Sequence, residues 1–321
     1  MQLLSINWNV DPVMLSLGPI NLRYYAICWV LCFAVSYVIF RKIFKKENLL
    51  TSTMRHPKEH LKIIKQHQSA NNKTTFLKVP NSGKISPKEN SKTNLLDKLA
   101  LHYVIPLTFI GARLGHCLFY EFGHYIKYPL EIILPIHDGK FVGYAGLASH
   151  GAALGILLAL WLFCRKYKKP YIWSLDRIAI AVPIAGAIVR IGNLMNSEIF
   201  GHATNLPWGF NFVRSAEWQQ IGLPCHPTQI YEALAYILLF VVVYYLFFKK
   251  DMGRKKPGII FGIFLIGLFA ARVLIEFVKN PQESFEKGMM LNMGQWLSLP
   301  FVIVGIVILI YYLHKNKTSK I

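Results

Sequence analysis

Seven apolar stretches, each about long enough to cross the roughly 30 Å of a bilayer's hydrocarbon core, constrain this chain more than any other feature. They fall near residues 24–40, 99–120, 148–163, 178–195, 231–248, 258–278 and 296–313, the third with a start as early as Phe141. With 54% hydrophobic and 16% charged residues, the 321-residue chain is too apolar for an ordinary soluble domain. The expected fold is an all-α polytopic membrane protein, a single transmembrane domain of seven helices over residues 1–321.

The net charge of +20 invites a nucleic-acid reading, which its distribution argues against. Of 36 Lys and Arg, 14 lie in residues 41–98, 5 in 165–177, 5 in 249–256 and 3 after His314. Those segments share one side of the membrane if seven spans alternate, and the opposite side carries only 6. Cytoplasmic loops are the basic ones, so the N-terminus is expected outside and the C-terminus in the cytoplasm. Residues 1–21 lack a basic start followed by a compact apolar core. The first long apolar run, from Tyr24, therefore reads as a retained span rather than a cleaved signal.

Two polar excursions interrupt the spans. Residues 47–97 are rich in Lys, Asn and Ser and contain Pro57, Pro80 and Pro87, the composition of a disordered, basic cytoplasmic insert. Its charge suits contact with anionic membrane lipids. Residues 200–224 carry Trp208, Phe210, Phe212 and Trp218 between Gly201 and Gly222, as expected of a small extracytoplasmic cap with its aromatics at the interface. The five cysteines show no metal-ligand spacing, and Cys117 with Cys225 is the one pairing near the outer face. No metal or diffusible cofactor is called for.

The polar groups inside the spans concentrate the chemistry. Arg190-Ile-Gly-Asn193-Leu-Met-Asn196-Ser-Glu198-Ile-Phe-Gly201 closes the fourth span, and its Arg–Asn and Asn–Asn pairs lie three apart on one helix face. Asn alone can glue helices together; Arg with Glu at membrane depth more often serves a cavity or a substrate. Arg272 and Glu276, four apart in the sixth span, read either as an ion pair neutralising itself or, with Arg190, as a fork for a phosphate group. In the third span His150 sits among small residues, and Gly151 and Gly155 form a face that lets another helix approach. His226-Pro-Thr-Gln229-Ile-Tyr-Glu232 opens the fifth span, with proline where a helix starts. Tyr25, at the mouth of the first span, suits an interfacial anchor. Most of these groups fall in the outer halves of their spans, so together they make a cationic pocket open to lipid, fit for a phospholipid headgroup.

These segments resemble those of the bacterial prolipoprotein diacylglyceryl transferases. Arg190 to Thr204 is similar to that family's signature. Ser149-His-Gly-Ala-Ala-Leu-Gly, His226-Pro-Thr-Gln-Ile-Tyr-Glu and Arg272-Val-Leu-Ile-Glu276-Phe resemble three further segments, in the same order. The first departs by reading His-Gly-Ala where the family often has His-Gly-Gly, and residues 47–97 are unusually long. The resemblance implies a multi-pass enzyme of the bacterial inner membrane. It moves diacylglyceryl from phosphatidylglycerol to the lipobox cysteine of a preprolipoprotein signal peptide, forming a thioether and releasing glycerol phosphate. It also implies His150, Arg190, Arg272 and Glu276 as catalytic, and Tyr25, Asn193, Asn196, Glu198 and His226 as substrate-binding. An anion transporter would need polar residues across the full membrane depth, and the inner halves of the spans are almost uniformly apolar. A non-catalytic phospholipid-binding protein is excluded only by the resemblance.

Overall fold

The computed structural model describes residues 5–18, 20–55, 95–134, 136–137, 140–141, 148–280 and 289–318. Most of the expected insert at 47–97 lies outside them. Contacts divide the chain into one unit of residues 1–37 and 164–321 and a second of residues 38–163.

The first unit opens with strand β1 (Ile6–Asn7) and a hairpin of β2 (Val13–Leu17) and β3 (Ile20–Arg23). Helix α1 (Tyr24–Arg55) starts here and continues into the second unit. That helix runs fifteen residues past the apolar stretch that announced it, because nothing in the basic sequence after Phe40 breaks it before Arg55. In the second unit a π-helical turn (Lys98–Val104) leads into α2 (Ile105–Phe119), with Pro106 in the first turn where a missing N–H costs nothing. A short α3 (Phe122–Lys127) and strands β4 (Ile136–His137) and β5 (Lys140–Phe141) precede α4 (Ser149–Tyr167). A side-chain carbon added at Gly151 would meet the backbone of Gly111, and one at Gly115 would sit 2.9 Å from the Gly151 Cα. The small-residue face read from Gly151 and Gly155 thus packs directly on α2.

The rest of the first unit holds α5 (Tyr171–Met195), β6 (Phe210–Asn211), α6 (Ala216–Ile221), α7 (Thr228–Phe248), α8 (Met252–Lys255), α9 (Ile259–Glu276) and α10 (Met293–Thr318). Helix α5 packs on α7, and α9 packs on α5, α7 and α10. The α9 N-terminus is capped from another helix: Asp176 of α5 accepts the N–H of Gly258 at 2.7 Å and of Phe261 at 2.9 Å. Gly258 takes φ +91° against the Tyr312 ring, which a side chain there would strike.

Among the described residues, six helical stretches are long and apolar enough to cross a membrane: Tyr24–Glu47, Leu95–Phe119, Tyr171–Met195, Thr228–Phe248, Ile259–Glu276 and Met293–Lys315. Helix α4, the expected third span, has 19 residues but begins Ser-His-Gly and ends with Arg165-Lys166-Tyr167, and is not among the six.

Residues 200–225 fold around their own aromatics. Phe200 stacks on Phe212 with ring centroids 4.8 Å apart, and Phe210, Cys225 and Leu194 complete the cluster. β1 pairs in parallel with β6, and Trp8 donates to the Leu194 carbonyl at 2.9 Å, fastening the N-terminal segment to this cluster. The expectation of interfacial aromatics is corrected here: Phe212 is 0% exposed and forms core, while Trp208 is 50% exposed. The cluster is too small to hide every ring. All five cysteines are free and buried.

Candidate functional site

Helix α5 ends in the Arg190 segment, and its last turns present polar side chains in sequence. Arg190 Nη1 donates to Asn193 Oδ1 at 3.2 Å, and Asn193 Nδ2 donates to Glu198 Oε1 at 2.7 Å. Asn196 Nδ2 reaches the same Glu198 oxygen at 3.3 Å. The chain doubles back here because the backbone leaves the helix: Ser197 (φ +53°) and Ile199 (φ +61°) both take the left-handed conformation. A β-branched residue there is a steric outlier worth about 1–3 kcal/mol, kept only where surroundings hold it. They do so from α7. Gln229 Nε2 donates to the Glu198 carbonyl at 2.6 Å, and Thr228 Oγ1 to the Ile199 carbonyl at 2.8 Å.

One turn on, Glu232 is 0% exposed and ion-pairs with Arg190 Nε at 2.7 Å through one oxygen and with Lys279 Nζ at 3.4 Å through the other. Lys279 also lies 3.6 Å from Glu276. Burial holds the Lys279 amine below the usual lysine range, with Glu232 opposing the shift. Arg272 lies within electrostatic reach of Lys279 and, with Arg190, of the buried Tyr236 hydroxyl. The Arg272 Nε is buried without a hydrogen-bond partner among the described residues. A side-chain carbon at Gly294, at the start of α10, would lie 2.6 Å from a Glu276 carboxylate oxygen, so that carboxylate fills the space a side chain would take.

The structure therefore gathers Arg190, Asn193, Asn196, Glu198, Arg272 and Glu276 around α5, α7 and α9. Tyr25 joins them: its ring lies against Gly192, and its hydroxyl is within reach of Asn193, Glu198 and Arg190. The self-neutralising Arg272–Glu276 pair is not formed; Glu276 faces Lys279, three residues on, because α9 ends at Glu276 and the chain turns Lys279 back inward through its bridge to Gly201. Lys279, one of the six Lys and Arg on the less basic side, is 2% exposed. Glu232, Lys279, Gln229 and Tyr236 were missed as site residues. The i,i+3 spacings of Gln229 with Glu232 and of Glu276 with Lys279 were the available signal.

His226 stands apart from the charge lattice. Its Nδ1 is 3.2 Å from the Tyr231 hydroxyl, which also accepts the Trp208 indole N–H at 2.9 Å. Burial, and then the charge of His202, lower its pKa and favour the neutral ring. His150 lies in the first turn of α4, in the second unit, and is exposed.

The lattice joins Arg190 and Lys279 to Glu232 and Glu276, and Arg190 through Asn193 to Glu198, with Arg272 close by. Truncating one member of such a set costs about 3–5 kcal/mol by stranding its partner. The Arg190 guanidinium is held by Glu232, Asn193 and Tyr236, and a second guanidinium, Arg272, lies near the same Tyr236 hydroxyl with its Nε unpartnered among the described residues. Two guanidiniums so placed have the geometry that suits an anion such as phosphate.

Comparison with known proteins points the same way. The family model described as prolipoprotein diacylglyceryl transferase matches residues 78–311. A phosphatidylglycerol–prolipoprotein diacylglyceryl transferase of Bacteroides fragilis is 38% identical over 323 residues, covering 99% of this chain and 99% of its own. One from Tolumonas auensis is 36% identical over 94% of this chain and 96% of its own. A third, from Porphyromonas gingivalis, is 44% identical over 68% of this chain and 78% of its own.

Proposed function

The chain belongs to the prolipoprotein diacylglyceryl transferase family and moves diacylglyceryl from phosphatidylglycerol to prolipoprotein, and we propose that the acceptor is the thiol of a lipobox cysteine in the substrate's signal peptide. The thiolate sulfur attacks the diacylglycerol carbon that bears the phosphate. A carbon–sulfur bond forms, the carbon–oxygen bond breaks, and glycerol phosphate leaves with the electron pair. The observation that carries this reading is the placement of two half-buried guanidiniums, Arg190 and Arg272, beside one hydroxyl, Tyr236, with the Arg272 Nε unpartnered among the described residues. Preorganised donors of that kind stabilise the charge that grows on a departing phosphate.

Asn193, Asn196 and Glu198 hold Arg190 in place and, with Tyr25, line the headgroup site, while Glu276 orients Lys279 beside it. His226 lies on the approach to this site. The thiol's ordinary pKa near 8.5 needs only modest help, and His150 is the base that takes its proton. The enzyme crosses the bacterial inner membrane seven times, with α4 as the span whose polar ends dilute its hydropathy. Its N-terminus is outside, its C-terminus and residues 47–97 are cytoplasmic, and residues 200–224 form the extracytoplasmic cap.

The test uses purified protein in phosphatidylglycerol liposomes with a single-cysteine lipobox peptide. Peptide mass should rise by one diacylglyceryl group, matched by glycerol phosphate, and neither should occur with a Cys→Ser peptide. Phosphatidylglycerol binding without turnover, while a known transferase works in the same liposomes, would leave only a lipid-binding protein. In the same assay His150→Asn should fall at least tenfold near pH 7 and recover as rising pH deprotonates the thiol unaided. Near-normal turnover from pH 6 to 9 would remove His150 as the base.

A further inference from the structure

Three side-chain oxygens beside Glu198 are buried and have no hydrogen-bond partner among the described residues: Asn196 Oδ1, Ser197 Oγ and Gln229 Oε1. Gln229 is 0% and Ser197 4% exposed, so these are not groups that water routinely satisfies from the surface. Their orientation is fixed. Asn196 and Gln229 each spend their N–H on Glu198, the one on its carboxylate and the other on its carbonyl, which leaves their amide oxygens as acceptors. Ser197 is held in the left-handed conformation between them in the chain. Glu198 Oε1 already receives Asn193 and Asn196, and Asn193 is the residue on which Arg190 leans. The acceptors therefore adjoin the phosphate clamp.

Buried acceptors without donors call for a ligand that brings donors. We propose that Asn196, Ser197 and Gln229 form the subsite that reads the two hydroxyls of the lipid headgroup, selecting a polyol ester of phosphate. This rests on the transferase reading and adds to it the residues that set headgroup choice. An ammonium headgroup also carries donors, but uncharged amide and hydroxyl oxygens do not repay its desolvation, whereas they suit a neutral hydroxyl. A headgroup without donors leaves all three oxygens buried and unpaired, the situation in which sites discriminate most sharply.

The experiment compares transfer from phosphatidylglycerol, phosphatidylpropanol and phosphatidylethanolamine in otherwise identical liposomes. Phosphatidylpropanol keeps the phosphate and the three-carbon headgroup and lacks both hydroxyls, so the leaving group's chemistry is preserved. The wild-type enzyme should favour phosphatidylglycerol over phosphatidylpropanol by about 10²-fold in kcat/KM, and over phosphatidylethanolamine by at least as much. Ser197→Ala and Gln229→Met should each narrow the first ratio by about tenfold, mainly by slowing the phosphatidylglycerol reaction. A merely structural role would slow both lipids equally and leave the ratio unmoved, which overturns the subsite. Equal wild-type rates on phosphatidylglycerol and phosphatidylpropanol overturn it too, assigning the three oxygens to bound water while leaving the transferase intact. Equal wild-type rates on phosphatidylethanolamine overturn the choice of hydroxyls over an ammonium. Failure of the wild-type enzyme on every lipid would take the transferase reading down with it.

Discussion

Arg190→Ala is expected to slow diacylglyceryl transfer by about 10²- to 10³-fold in kcat, and Arg272→Ala by a similar factor. The two guanidiniums share Tyr236 as a neighbour, and the Arg272 Nε has no hydrogen-bond partner among the described residues. Charge develops on the phosphate only as its carbon–oxygen bond breaks, so donors fixed in advance lower the barrier more than they tighten ground-state binding. Arg190→Lys should recover less than about tenfold of the loss. An ammonium cannot serve Glu232, Asn193 and a phosphate edge together as a planar fork can. The double variant should be little worse than the poorer single one, because a clamp with one jaw gone has already failed. Single-turnover release of glycerol phosphate at saturating phosphatidylglycerol measures this directly. Unfolding midpoints run alongside separate a lost donor from a lost fold, since in Arg190→Ala Glu232 keeps Lys279. Rates within about threefold of wild type in both single variants would dispose of the clamp.

The helices that carry this site were legible because membrane-length apolar runs admit few other structures. The polar residues that interrupt them were legible for the complementary reason, that burying Arg190 or Arg272 is costly without a purpose. What the pattern could not give was which carboxylate meets which cation. Arg272 and Glu276 sit at ideal helical spacing, yet Glu276 serves Lys279, because the partner is set by the turn after α9 and its bridge to Gly201. Glu232 was hidden in a motif read for its histidine, and its burial depends on α5 and α7 packing face to face. Phe210 and Phe212 looked like interfacial rings and are core, since composition says nothing of which rings of a small folded segment turn inward. The left-handed turn at Ser197 and Ile199 carries no glycine at either position, so no local residue announced it.

Asp176→Ala should cost about 2–4 kcal/mol of stability, although Asp176 lies far along α5 from the arginines. The substitution strands the N–H groups of Gly258 and Phe261 at the start of α9, where neither lipid nor side chain replaces the carboxylate. It also loosens the alignment of the site. Arg190 follows Asp176 by fourteen residues in α5, and Arg272 follows Gly258 by fourteen in α9. At about 1.5 Å per residue, both helices climb roughly 21 Å from their shared hydrogen bonds. Equal strides from one fastened point bring the two guanidiniums to one level, where both meet Tyr236. Asp176→Asn keeps a single acceptor and turns an amide N–H toward the second backbone donor, so it should recover about half of the lost stability at most. Because a displacement near 1 Å at a reacting centre can cost about 10²-fold, both variants should lose kcat beyond what their unfolded fraction explains. Thermal unfolding in detergent and turnover well below the midpoint measure the two effects separately. Full kcat at a lowered midpoint would mean that Asp176 only stabilises α9. An unchanged midpoint would mean that the cap is dispensable and that packing alone sets the register.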